Sequence, residues 1–156
     1  MPEAQPTPVL VGVTDDEDVR GALAFAVAEA RRRGVGVHLV HVTPVVPLGP
    51  VAQDEVDATG HDLLARVAGT VRADAPDGPP VTTALVHGSA ASALVEAASG
   101  ASMVVLQHQR MGRPGLVATL SVTNPVVALA DVPVVAVPAG WCEDRPGLVI
   151  AGADDG

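Results

Sequence analysis

Five short runs of mainly apolar residues are spaced along the chain, and each is rich in valine. They lack the regular polar alternation of a half-exposed sheet, so each run predicts a strand that is buried on both faces. The runs are Val9–Val13, Val35–Val42, Val81–Val86, Met103–Leu106 and Val132–Val137. Because such strands occur almost only in parallel sheets covered by helices, this feature places the chain in the α/β class.

The segments between these runs have the spacing of helices. We predict helices over Glu17–Arg33, Asp54–Ala73 and Ser89–Ser99, and a fourth that begins between Ser121 and Pro125 and ends near Ala130. Strands and helices thus alternate, and right-handed crossovers make this an open, doubly wound α/β domain with helices on both faces. Ligands of such domains bind at the carboxyl ends of the strands. We therefore expect any site in the loops after the first and fourth strands.

The charge composition argues against nucleic acid and against several enzyme classes. Asp and Glu number 18 against 9 Lys and Arg, which gives a formal net charge of −9. An acidic surface repels a phosphate backbone, so we expect no nucleic-acid partner. All the basic residues are arginines, which excludes sites that need a lysine, such as the P-loop. The triplet Arg31–Arg33 is predicted to complement the C-terminus of a helix.

The N-terminus and the single cysteine favour a cytoplasmic protein. Residues 1–8 have neither the basic nor the apolar region of a secretion signal, and we expect them to be disordered. Charges or prolines interrupt every long apolar stretch, so we expect no contact with a membrane. Cys142 has no partner for an intrachain disulfide, and we expect it to serve packing or an interface.

Five histidines are present, but their placement does not predict a metal site. They are His38, His41, His61, His87 and His108. His38 and His41 lie three apart on one predicted strand, so they point to opposite faces. His41 and His87 are possible neighbours, but two ligands do not make a zinc site. Ser89 is interpreted as a helix cap rather than a nucleophile, and we expect no metal and no catalysis.

The order and spacing of several segments resemble the universal stress protein family over residues 9–138. These segments are Val9–Val13, Leu39–Val42, Val86–Gly88, Met103–Leu106, Ser121–Thr123 and Val132–Pro138. The resemblance implies a Rossmann-like, five-stranded parallel sheet in the order 3-2-1-4-5. It also implies a homodimer that forms through the last strand, Val132–Val137. An open edge on that apolar strand would otherwise be an aggregation hazard.

One branch of this family binds ATP, and the sequence departs from the motif of that branch. The motif has an aspartate after strand one and, after strand four, Gly, two residues, Gly, nine residues, Gly, then Ser or Thr. Glycines let backbone N–H groups approach phosphate oxygens. Aligned on Ser121, the three glycine positions hold Gln107, Arg110 and Leu120, and Thr14 replaces the aspartate. The chain therefore resembles the branch that does not hold ATP.

We expect a non-catalytic binding and regulatory protein that acts in the stress response without holding ATP tightly. The alternatives are an adenine-nucleotide sensor, in which ATP is the cofactor and hydrolysis is slow, and a docking module for another protein. The candidate residues for a degenerate nucleotide or anion site are Thr14, Asp15, Val42, Arg110, Gly112, Arg113, Ser121 and Val122. Arg110 and Arg113 are the side chains able to hold an anion bidentately.

The end of the chain repeats the character of its beginning. Leu148–Asp155 is an apolar run with a glycine that closes in acidic residues, as Val9–Asp15 does. We expect residues 139–156 to form a tail that docks on a partner subunit, or that is the remnant of a tandem second domain. A free tail and chance similarity remain open at this point.

Overall fold

The computed structural model describes residues 7–15, 18–108, 126–144 and 150–152. The strands are β1 (Val9–Gly12), β2 (Val37–Thr43), β3 (Val81–His87), β4 (Met103–His108), β5 (Val134–Pro138) and β6 (Ile150–Gly152). The helices are α1 (Arg20–Arg33), α2 (Pro50–Asp74) and α3 (Ala90–Ala98), and residues 126–129 are also helical.

The sheet has the order β3-β2-β1-β4-β5-β6. β1 to β5 pair in parallel, which confirms the predicted five-stranded sheet in the order 3-2-1-4-5. β6 was not predicted as a strand of this sheet, and it pairs antiparallel with β5. The tail thus returns to the sheet of its own chain. In the monomer, the edge of β5 that we expected to meet a second subunit is covered over Val134–Ala136.

Two hydrophobic cores lie on the two faces of the sheet. α1 and α2 cover one face, where Val11, Leu39 and Val105 are fully buried. α3 and the helical residues 126–129 cover the other, where Leu10, Val104 and Val126 are almost completely buried. Successive strand residues point to opposite faces, so strands with helices on both sides must be apolar throughout. This confirms the interpretation of the apolar runs for β1, β4 and β5. For β3 it is wrong: as an edge strand, β3 is exposed or only partly buried at every position.

Several boundaries differ from the prediction for local reasons. α2 begins at Pro50 rather than Asp54, because proline suits the first helical position, where no N–H is needed. β2 begins at Val37 rather than Val35, since the Val35 N–H closes the end of α1 on the Ala30 carbonyl at 3.0 Å. α1 itself begins at Arg20, three residues after the predicted start.

Two smaller predictions also need correction. Ser89 occupies the cap position of α3, but its side chain makes no capping hydrogen bond. Cys142 is exposed, which contradicts a packing role within the described chain, whereas an interface role stays a prediction. Its neighbour Trp141, which lies in the predicted tail, packs edge-on against Phe25 with ring centroids 5.3 Å apart. The two aromatic side chains of the protein therefore tie the segment after β5 to α1.

Candidate functional site

The candidate site lies where β1 and β4 end. These strands are neighbours at the centre of the sheet, and the next strands along the chain lie on opposite sides of them, β2 beside β1 and β5 beside β4. Ligands of such sheets bind outside the carboxyl ends of the strands, where the strand order reverses in this way. Thr14 and Asp15 follow β1, and both are exposed. Val42 lies near the end of β2 and is half-buried against the core on the α3 face. The structure therefore places these three predicted residues at the predicted edge.

The remaining predicted residues fall outside the described part of the chain. They are Arg110, Gly112, Arg113, Ser121 and Val122. Their participation in a site stays a prediction from the sequence.

Gln107, at the end of β4, is a polar side chain that is 5% exposed. Its Oε1 accepts a hydrogen bond from the Ala22 backbone N–H at 3.0 Å, and its Nε2 donates to the Val137 carbonyl at 2.9 Å. Ala22 lies in the first turn of α1, where backbone N–H groups have no partner within the helix. The Gln107 amide thus caps α1 from a strand and links it to β5.

A close approach of backbone makes this arrangement possible. A Cβ on Gly21 would lie 2.9 Å from the Pro138 carbonyl oxygen and 3.4 Å from Gln107 Oε1. Only glycine lets the first turn of α1 come so near to the end of β5. Gly21, Gln107 and Pro138 therefore form one junction between α1, β4 and β5.

Asp18 satisfies a second free N–H at the same helix end. Its Oδ1 accepts from the Arg20 backbone N–H at 3.1 Å and from Arg20 Nε at 2.8 Å. The Arg20 side chain, and then its backbone N–H, lower the pKa of Asp18 to about 2. A helix N-terminus attracts anions. Here a carboxylate of the chain and an amide oxygen already occupy that position.

Asp15 follows Thr14, which stands at the aspartate position of the motif described above. The Arg66 guanidinium, on α2, lies 3.1 Å from Asp15 Oδ1, and both side chains are about two-thirds exposed. Such an exposed pair contributes at most about 1 kcal/mol. It nevertheless brings a cation of α2 to the loop that follows β1.

His41 faces the same loop from β2. Its Nδ1 lies 2.7 Å from the Val13 carbonyl oxygen, and since a carbonyl only accepts, Nδ1 carries the proton. A Cβ on Gly60 would lie 3.0 Å from His41 Cδ2 and 2.6 Å from Leu85 Cδ1, so α2 packs closely here. His38 points to the other face, where its Nδ1 lies 2.7 Å from Thr82 Oγ1. Burial lowers the pKa of His38.

A second polar cluster, which the sequence analysis did not identify, lies beyond the ends of β2 and β3. Asp57 Oδ1 accepts from Gln53 Nε2 and lies 2.9 Å from His87 Nε2. Gln53, followed by His87, lowers the pKa of Asp57. Gln53 Oε1 also accepts from the Val46 N–H at 2.8 Å. The spacing of Gln53 and Asp57, four apart on a helix, is the signal that could have revealed this link between α2 and the loop after β2.

Within the described ranges, no group of three or more His, Cys, Asp or Glu side chains is arranged to hold a metal ion. In the same ranges, no helix is both long enough and apolar enough to cross a bilayer.

Known proteins resemble this chain in both sequence and fold. A family model described as the universal stress protein family matches residues 6–138. A universal stress protein of Mycobacterium tuberculosis H37Rv is 34% identical over 140 residues, which are 86% of this chain and 46% of that protein. The chain thus spans about half the length of this relative. With most of its residues matched, the chain belongs to the universal stress protein family.

Two solved structures show the likeness in three dimensions. The universal stress protein of Archaeoglobus fulgidus in complex with dAMP has a TM-score of 0.67 and 26% identity, with coverage of 84% of this chain and 97% of that one. A universal stress protein in complex with cAMP has a TM-score of 0.64 and 20% identity, with coverage of 86% and 98%. The second likeness shows the shared fold alone.

Proposed function

We propose that this protein is a non-catalytic binding and regulatory member of the family, active in the cytoplasm during stress, that does not hold ATP tightly. Family membership and the fold support the general part of this proposal, a role in the stress response. The restriction on ATP rests on what stands at the ends of β1 and β4.

The observation that carries the proposal is the buried Gln107 side chain. In the ATP-binding branch a glycine stands at the aligned position, and its bare backbone can approach a phosphate. Here the amide is held between the Ala22 N–H and the Val137 carbonyl. Displacing it leaves two buried backbone groups unpaired, and each costs about 1–3 kcal/mol. A phosphate at this position would have to offset that cost.

The charges near this edge support the same proposal. Asp15 and Asp18 lie beside the end of β1 and the start of α1, and the whole chain carries a net charge of −9. Like charges repel, and this repulsion is moderate here because both carboxylates are exposed and each lies beside an arginine. A nucleotide with three phosphates therefore meets carboxylates where other Rossmann-like sites present free N–H donors.

The second candidate function is an adenine-nucleotide sensor. The dAMP complex of the Archaeoglobus relative favours it, because that nucleotide has a single phosphate and demands fewer donors. The site would consist of Thr14, Asp15 and Val42, with Arg110, Gly112, Arg113, Ser121 and Val122 from the loop after β4. Arginine binds phosphate bidentately, so Arg110 and Arg113 would replace the missing backbone donors.

Thermal melting with millimolar ATP and Mg²⁺, and in parallel with dAMP and with cAMP, separates the two functions. A nucleotide at about 100 times its Kd stabilises the folded state by about 2.7 kcal/mol. We expect no shift with ATP. A saturable rise in melting temperature with any of the three nucleotides would establish the sensor instead. The double variant Arg110→Ala with Arg113→Ala should then abolish that rise. The matched control is Arg31→Ala with Arg32→Ala, which removes two exposed arginines of α1.

The proposal includes a homodimer that forms through the last strand of the parallel sheet, in the region Val132–Val137. β5 within that region is apolar throughout, and it is the last strand of the parallel part of the sheet, where a further strand can pair. A partner protein of another kind remains the alternative occupant. Sedimentation velocity over a concentration series tests the dimer, and a chain that stays monomeric throughout, even with β6 disrupted, contradicts it.

A further inference from the structure

β6 lies along the outer edge of β5, at the place proposed for the second subunit. Val134, Val135 and Ala136 are paired with Gly152, Ala151 and Ile150, respectively. We propose that this strand is a releasable cover: while paired, it keeps the β5 edge from a second copy of the chain, and its release allows two copies to join. The inference rests on the proposed homodimer and adds its regulation.

The β5 edge needs a cover because of what β5 is made of. Its residues Val134 to Val137 are at most 8% exposed. Val135 and Val137 belong to the core on one face, and Val134 belongs to the core on the other. One edge of β5 pairs with β4. An uncovered second edge would present free N–H and C=O groups along an apolar strand, which is a template for another strand.

A second copy of the chain fits this edge by symmetry. β5 accepts β6 in the antiparallel sense. An edge open to an antiparallel partner is also open to an identical strand, because antiparallel pairing obeys a two-fold axis. Two-fold contacts use the same patch on both subunits and are the commonest kind in soluble oligomers. β5 has five residues for such pairing, whereas β6 covers three of them.

β6 has the features of a weak cover. It is three residues long, and it is joined to β5 through the long connection of residues 139–149. A ladder of three residues contains few hydrogen bonds, so few bonds hold β6 on β5. Its advantage is that it belongs to the same chain, with an effective concentration in the millimolar range. A second copy competes with it only when the cover is weakened or the protein is concentrated.

The release variant is Ile150→Pro with Ala151→Pro in the full chain. Adjacent residues of a strand direct their N–H groups to opposite sides, so one of the two prolines removes a bond to β5. The control is Ile150→Val with Ala151→Val, which keeps the ladder. By sedimentation velocity we expect the release variant to dimerise with a Kd at least tenfold lower than the control. If the two variants dimerise with equal Kd, the homodimer is supported and the role of β6 as a cover is contradicted. If both variants stay monomeric, the homodimer and the cover are both contradicted.

The locked variant tests the same inference in the other direction. Val135→Cys with Ala151→Cys joins two directly paired residues, in a Cys142→Ser background. We expect the oxidised protein to stay monomeric at concentrations where the reduced protein dimerises. An oxidised protein that dimerises as well as the reduced one shows that β6 does not control this edge. Mass spectrometry of the disulfide verifies that the bond is within one chain.

Discussion

The carboxyl ends of β1 and β4 and the outer edge of β5 have one property in common. At each, a group of the chain itself stands where an external partner is expected: the Gln107 amide at the helix end, and β6 along the strand. They differ in how firmly that group is held. Gln107 is buried and bonded at both ends of its amide, whereas β6 is a three-residue strand at the end of a long connection. The comparison indicates that the first replacement is permanent and the second reversible.

The largest expected effect comes from removing the Gln107 amide. Gln107→Leu leaves the Ala22 N–H and the Val137 carbonyl without partners, and we expect a loss of about 2–4 kcal/mol in the free energy of unfolding. Urea denaturation followed by circular dichroism measures it. The matched control is Gln53→Leu, which removes the hydrogen bonds to Asp57 on the same helix and to the Val46 N–H in the loop after β2. Because these bonds are only partly buried, we expect a loss of about 1 kcal/mol or less. An equal loss in free energy of unfolding in the two variants would show that the Gln107 amide is held no more firmly than a partly exposed polar side chain.

A smaller effect is expected where α1 approaches β5. Gly21→Ala places a methyl 2.9 Å from the Pro138 carbonyl oxygen, and we expect it to destabilise the fold by about 1–3 kcal/mol. Gly69→Ala is the control, since nothing lies within 4 Å of its added Cβ; it should stabilise α2 by about 0.5–1 kcal/mol. Thermal denaturation compares both with the native chain. If Gly21→Ala is neutral, the junction is looser than its geometry indicates.

The smallest effect concerns Asp18 and the acid range. Its pKa is about 2 in the folded protein and 3.8 in its unperturbed state, so its ionised form favours folding. That contribution is present above pH 4 and is lost as the pH falls towards 2. Because the side chain is half exposed, we expect Asp18→Asn to cost less than about 1 kcal/mol at pH 6 and only a small part of that at pH 2.

Urea denaturation across this pH range measures the difference between Asp18→Asn and the native chain. Asp77→Asn, in an exposed turn, is the control. We expect the difference in free energy of unfolding between this variant and the native chain to be the same at every pH of the series. A cost for Asp18→Asn that does not change with pH would show that the side chain acts through packing rather than charge.

Much of the fold was predictable because it follows from local periodicity. The apolar runs Val9–Val13 and Met103–Leu106 can be satisfied only by burial on both faces, and this leads to a parallel sheet under helices. Element ends were less predictable, because they depend on single hydrogen bonds such as that between the Val35 N–H and the Ala30 carbonyl. Thr14, Asp15 and Val42 reached the predicted edge because the topology brings the ends of all parallel strands there.

The sequence by itself determined the class of fold, the family, and the loss of glycines from the motif after the fourth strand. It did so because these properties reside in residue type and spacing along the chain. Only the tertiary structure decided that Gln107 caps a helix 85 residues away and that the tail covers β5 rather than extending free. Such contacts join residues distant in sequence, and whether they form depends on the packing of the whole chain around them.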